Sequence, residues 1–150
     1  MGRDSKYMLY TIGYEGLNID EFVERLVVYK ISRLIDVREI PLSRKKGFSK
    51  TRLNERLEEE GIEYIHLKEL GSPRDIRQKL KQDGDYAYFF RKFSKYLSTK
   101  QHIFEEVFDY LVDGISCLMC FEQLADKCHR SLVAENMKNL NSKNILVEDI

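Results

Sequence analysis

Between Ile115 and Phe121 the chain reads ISCLMCF, a run in which Ser116 alone carries a strongly polar side chain. A strand with nothing to show to water must be covered on both faces. That places it at or near the centre of a parallel sheet sandwiched between helices. No other segment constrains the fold as tightly.

The rest of the chain alternates in step with that requirement. MLYTIGY (Met8 to Tyr14) is a short apolar strand that ends in a glycine turn. NIDEFVERLVVYK then spaces Ile19, Phe22, Val23, Leu26 and Val27 as one helical face, with Asn18 as N-cap. ISRLIDV is a second strand, SKTRLNERLEEEG a helix opening at Ser49 and stopping at Gly61, and IEYIHL a third strand. GSPRDIRQKLKQDGD reads as a turn-rich, partly helical connection. Two aromatic helices follow, YAYFFRKFSKYLS and QHIFEEVFDYLVDG, then the ISCLMCF strand, a helix from about His129 to Leu140 and a last strand, NILVE. This order predicts a single α/β domain over residues 1–150, with a mainly parallel sheet of about five strands and helices on both faces, a three-layer architecture. With 43% apolar residues in 150, the chain can bury a proper core.

Net charge excludes little, because 25 basic residues balance 25 acidic ones. Its distribution says more: six basic residues fall between Arg38 and Arg52, against Glu39 alone. No apolar run is long enough to span a bilayer, and the start MGRDSKYM lacks the apolar core of a signal peptide. Three clustered cysteines, Cys117, Cys120 and Cys128, do not suit a secreted disulfide scaffold. A reducing cytoplasm is the expected setting, with no membrane partner.

In open α/β sheets ligands bind outside the carboxyl ends of the strands. GYEG follows the first strand, DVREIPLSR the second, His66 to Gly71 the third and CFEQLADKCHR the fourth. Each cluster alone is an ordinary solvated loop. Together they are expected to meet along one edge, with Asp36 and Glu122 at the ends of apolar strands.

TIGYEG, DVREIPLSR, LGSPR and CFEQLADKCHR also resemble, in order and spacing, the domain of unknown function 488 family, essentially end to end. The resemblance implies an α/β domain. For part of the family, in archaea, it implies DNA glycosylase–lyase activity on oxidised pyrimidines such as 5-hydroxycytosine, hence damaged DNA as partner and no cofactor. It assigns no residue a role.

Such chemistry has definite requirements. Cleaving an N-glycosidic bond builds positive charge on the sugar, which a fixed carboxylate stabilises. A lyase also needs an unprotonated amine to form a Schiff base, a state favoured by burial or neighbouring cations. Asp36 or Glu122 supplies the acid, and Lys45 or Lys50 the amine. Arg38, Arg44 and Lys46 are expected to hold phosphates, with Ser43 and Ser49 as neutral donors. Gly13, Tyr14, Phe48 and Phe121 flank the edge where a flipped base would lodge. Which lysine reacts is left open by the sequence.

The late motif admits three readings. Cys120, Cys128 and His129 could ligate zinc, although adjacent Cys and His seldom share an ion and no fourth ligand is evident. Cys120 or Cys128 could be a reactive thiolate beside Arg130. The residues fit best an anion corner without metal, in which Arg130 and the first amides of a helix hold a phosphate and His129 assists. A nucleic-acid or nucleotide binding module without chemistry is the alternative function, and a thiol- or metal-dependent enzyme the third.

Overall fold

The computed structural model describes residues 6–122, 129–140 and 144–150. Five strands, β1 (Tyr7–Gly13), β2 (Arg33–Asp36), β3 (Glu63–His66), β4 (Ser116–Cys120) and β5 (Ile145–Asp149), form one sheet in the order β3-β2-β4-β1-β5. Every pairing is parallel. β4 is the middle strand and all five of its residues are buried. The apolar run at 115–121 therefore lies where its lack of polar side chains requires.

Among the described residues there are six helices: α1 (Ile19–Val28), α2 (Lys50–Glu58), α3 (Arg74–Asp83), α4 (Tyr86–Leu97), α5 (Gln101–Val112) and α6 (Arg130–Lys138). Asn18 opens α1 with a reciprocal capping box, accepting from the Glu21 amide while Glu21 accepts from the Asn18 amide. Because side chains alternate along a strand, each face of the sheet builds its own core. Ile12, Leu34 and Met119 pack under Phe22 and Leu26 of α1 and Leu53 and Leu57 of α2. Leu9, Ile35 and Leu118 pack on the other face against Phe93, Phe104, Val107 and Val133 from α4, α5 and α6.

The strand order explains this division. From β1 to β3 the chain moves toward one edge; from β3 to β5 it moves toward the other. Right-handed crossovers then send the two sets of helices to opposite faces. The loops leaving β1 and β2 turn one way and the loop leaving β4, which lies between them, turns the other. A crevice must open where they part.

α3 departs from the expected turn-rich connection. It is a full ten-residue helix that buries none of its residues. The 3₁₀ turn Lys68–Leu70 and Pro73 lead into it, and Gly84 in the left-handed conformation ends it. Among the described residues no helix is long and apolar enough to cross a membrane.

Candidate functional site

A pocket of about 600 Å³ opens in that crevice, at the carboxyl ends of β1, β2 and β4. Tyr14 follows β1, Arg38 and Glu39 follow β2, and Phe121 and Glu122 follow β4. Ser72, Arg77, Leu80 and Lys81 enter from the β3 side, Tyr86 and Phe89 from α4, and His129 from the start of α6. Its size falls in the range of small-ligand sites, about 300–1,000 Å³.

An aromatic pile forms one wall. Phe22 meets Phe48 edge-on at 5.1 Å, Phe48 stacks on Tyr14 at 4.4 Å, and Tyr14 meets Phe121 edge-on at 5.3 Å. The pile runs outward from the core: Phe48 is fully buried, and Phe121 is 45% exposed at the mouth. Phe48 therefore supports the wall and does not face a ligand.

Asp36 is also out of reach. Its side chain is fully buried and accepts from the Arg38 amide, Nε and Nη2 and from the Tyr64 hydroxyl at 2.6 Å. Burial alone would lower the Arg38 pKa, but the bonds and charge of Asp36 overrule it, so the net shift is upward. Burial, then the Asp36 charge, raises the Tyr64 pKa and keeps that phenol protonated. Asp36 acts by fixing Arg38, whose guanidinium lies over the Tyr14 ring at 5.4 Å and donates to its hydroxyl. The acid that reaches the pocket from β2 is Glu39, paired with Arg77 at 2.7 Å.

Glu122 is the second acid in the pocket, and burial raises its pKa, with Arg130 opposing. A carboxyl of this kind stays protonated to higher pH than usual and can donate a proton. His129 is neutral: burial pushes its pKa down to about 4, against a hydrogen bond to the Val37 carbonyl. Since a carbonyl can only accept, its Nε2 carries the proton, 2.9 Å from that oxygen.

Arg130 corrects the anion-corner reading. It is fully buried, its Nε donates to Thr11, and its Nη1 donates to the Cys120 sulfur and the Glu122 carbonyl. It ties α6 to β1 and the end of β4, and no phosphate can reach it. Cys120 is fully buried and its sulfur accepts from Arg130 Nη1, so it offers no nucleophile to the pocket. Cys117 is a free, buried thiol whose pKa burial raises, an inert core residue. Among the described residues no His, Cys, Asp or Glu side chains gather as a metal site. Residues 123–128 of the late motif, Cys128 included, lie outside those described.

The basic part of the loop after β2, from Ser43 to Lys50, does not line the pocket. Ser43 and Ser49 fasten it to itself: the Ser43 amide donates to Ser49 Oγ, which donates to the Ser43 carbonyl, while Ser43 Oγ accepts from the Lys45 amide. With Phe48 anchored in the α1–α2 core, Lys46 lines a separate cleft beside α2, and Arg44, Lys45 and Lys50 line neither cavity. Among the described residues the lysine at the pocket is Lys81, on the helix that sequence patterning understated. Its polar sequence gave no sign of the pocket; the LGSPR turn that launches it was the available signal.

Two glycines let the loops close together. A Cβ on Gly13 would stand 1.7 Å from the Glu122 carbonyl oxygen and 2.7 Å from Arg130 Nη1. One on Gly71 would stand 2.3 Å from the Glu39 amide nitrogen. Gly13 is thus the floor beneath Glu122, not a surface for a base.

Fold and site together define a three-layer α/β protein with an acid–base and cationic pocket at its topological switch point. The chain belongs to the family described as domain of unknown function DUF488, whose model matches residues 18–137. No curated protein and no solved structure matches it.

Proposed function

We propose that this protein is a DNA N-glycosylase with an associated AP-lyase step, removing a damaged pyrimidine such as 5-hydroxycytosine from an extruded nucleotide. The observation that carries the reading is the pocket: an aromatic-walled cavity holding Glu122, whose pKa is raised, beside Arg38, Arg77 and Lys81. A flipped base needs aromatic or apolar walls and polar groups at its edge. Its flanking phosphates need cations.

In this reading Glu122 donates its proton to the departing base as the C1′–N bond breaks and that electron pair passes to the base. The Lys81 amine, once its ammonium proton has passed to solvent, adds to C1′ and loses a further proton. Sugar ring opening gives the Schiff base, with the proton taken up at O4′. Loss of a C2′ proton then expels the 3′ phosphate. Arg38 and Arg77 hold phosphate or base oxygens, and the neutral His129 fixes the segment leaving β2 by donating to the Val37 carbonyl.

The test is borohydride trapping. Incubation with 5-hydroxycytosine DNA followed by reduction should leave a covalent protein–DNA adduct, absent on undamaged DNA. Lys81→Gln should lose it, while Lys45→Gln and Lys50→Gln keep it. Base release without an adduct removes the lyase step and leaves a monofunctional glycosylase. Binding with neither assigns a non-catalytic nucleic-acid module.

A further inference from the structure

We propose that the α3–α4 hairpin is the docking surface for the phosphate backbone of the nucleic-acid strand that crosses the pocket mouth. This inference rests on the nucleic-acid reading of the pocket and adds the face on which the strand lies.

The molecule has no net charge, yet residues 74–97 hold seven Lys and Arg against three Asp and no Glu. α4 itself carries Arg91, Lys92 and Lys95 and no acid. All three are exposed and, among the described residues, enter no ion pair. Across the hairpin, Lys79 of α3 joins Arg91 and Lys92 around one ring, Tyr88, at 4.9, 5.3 and 5.5 Å. Like charges gathered this closely repel one another; the Lys79–Asp83 pair at 3.0 Å and the Tyr88 ring face offset only part of that, since Arg91 and Lys92 have no acid beside them on α4. Packing does not require the arrangement, because no residue of α3 is fully buried and these cations lie outside the core.

A polyanion removes the repulsion. The hairpin also connects to the pocket without a break, since Lys81 of α3 and Tyr86 and Phe89 of α4 line its mouth. Cations interleaved with tyrosines form the surface that tracks a sugar–phosphate strand, charge on the phosphates and rings on the bases. An acidic protein would meet the charge but has no use for an adjoining aromatic pocket.

The experiment is fluorescence anisotropy of a labelled DNA oligonucleotide, single-stranded and duplex, titrated with the full chain at several salt concentrations. Wild type is compared with Arg91→Gln/Lys92→Gln/Lys95→Gln and with Arg44→Gln/Lys45→Gln/Lys46→Gln in the loop after β2, each with its thermal melt. The hairpin triple should melt as wild type, bind all sequences at least tenfold more weakly near 0.1 M salt, and flatten the log–log salt slope by roughly two to three. A hairpin triple that matches wild type while the loop triple loses the slope overturns this surface and leaves the proposed function standing. Wild type that binds no DNA but binds polyglutamate through the hairpin overturns both, and assigns the face to an acidic protein.

Discussion

The Asp36 carboxylate and the Arg38 guanidinium meet side-on, Oδ2 2.8 Å from Nη2 and Nε within 3.1 Å of both oxygens. The pair is buried, and it aims Arg38 at the pocket while withholding Asp36 from it. Asp36→Asn keeps the shape and leaves Arg38 with an uncompensated buried charge. It should lower unfolding free energy by about 3 kcal/mol, read from urea denaturation. A variant as stable as wild type would mean that the pair does not hold this corner together.

Glu122→Gln separates fold from chemistry at the other acid. The residue is partly exposed and enters no ion pair among the described residues, so the melt should be unchanged. Base release should fall by about 10²-fold, the usual scale for one acid–base group. Because burial raises the Glu122 pKa, wild-type rate should decline as pH rises through it. Gln should flatten that limb, and an unflattened limb would move the proton to another group.

His129 predicts a stability effect in acid. Its pKa falls from the ordinary 6.5 to about 4 in the fold, through burial first and the Arg77 and Arg130 charges after. Between those values the unfolded chain binds the proton and the folded one does not. The stabilisation is therefore full above pH 6.5 and lost as pH falls toward 4. The ring is not wholly enclosed by surface, so the loss should amount to ~1–3 kcal/mol. Urea midpoints of wild type and His129→Gln, compared from pH 7 to pH 4, should converge over that window. Parallel curves would count against a buried neutral ring.

Gly13→Ala tests the floor. The added methyl meets a backbone carbonyl, which cannot rotate away as a side chain would. Destabilisation should be about 1–3 kcal/mol, with base release falling further than stability because the Glu122 segment is displaced. Gly16→Ala, where a Cβ meets nothing within 4 Å but the backbone φ is +83°, controls for glycine conformation alone.

Leu42 and Ile40 stand at the rim 68% and 51% exposed, an unusual place for two branched aliphatics. If they fill the gap left by an extruded base, Leu42→Ser should slow base release from duplex DNA and spare single strands. Its melt should stay within about 0.5 kcal/mol of wild type. Equal effects on both substrates would reduce the rim to a general contact.

The sequence by itself determined the layers. Period-3.6 apolar faces marked α1, α4 and α5, the Asn18 cap fixed where α1 begins, and ISCLMCF could only be the strand between two cores. It also determined that four polar clusters lie at the strand ends, since parallel strands deliver all their carboxyl ends to one edge. Only the tertiary structure decided which charges face the pocket. Asp36 and Arg38 sit two residues apart, yet pairing buries the acid and leaves the base lining the cavity. Phe48 carries the Lys45–Lys46 loop toward the α1–α2 face because its ring completes the stack on Tyr14. Arg77 and Lys81 arrive on a helix too polar to announce itself, and Arg130, the most basic mark of the late motif, is drawn into the interior by Thr11, Cys120 and the Glu122 carbonyl. Periodicity reports which side of an element is dry. Where a long charged side chain ends is settled by the partner it finds across the fold, and no local pattern encodes that partner.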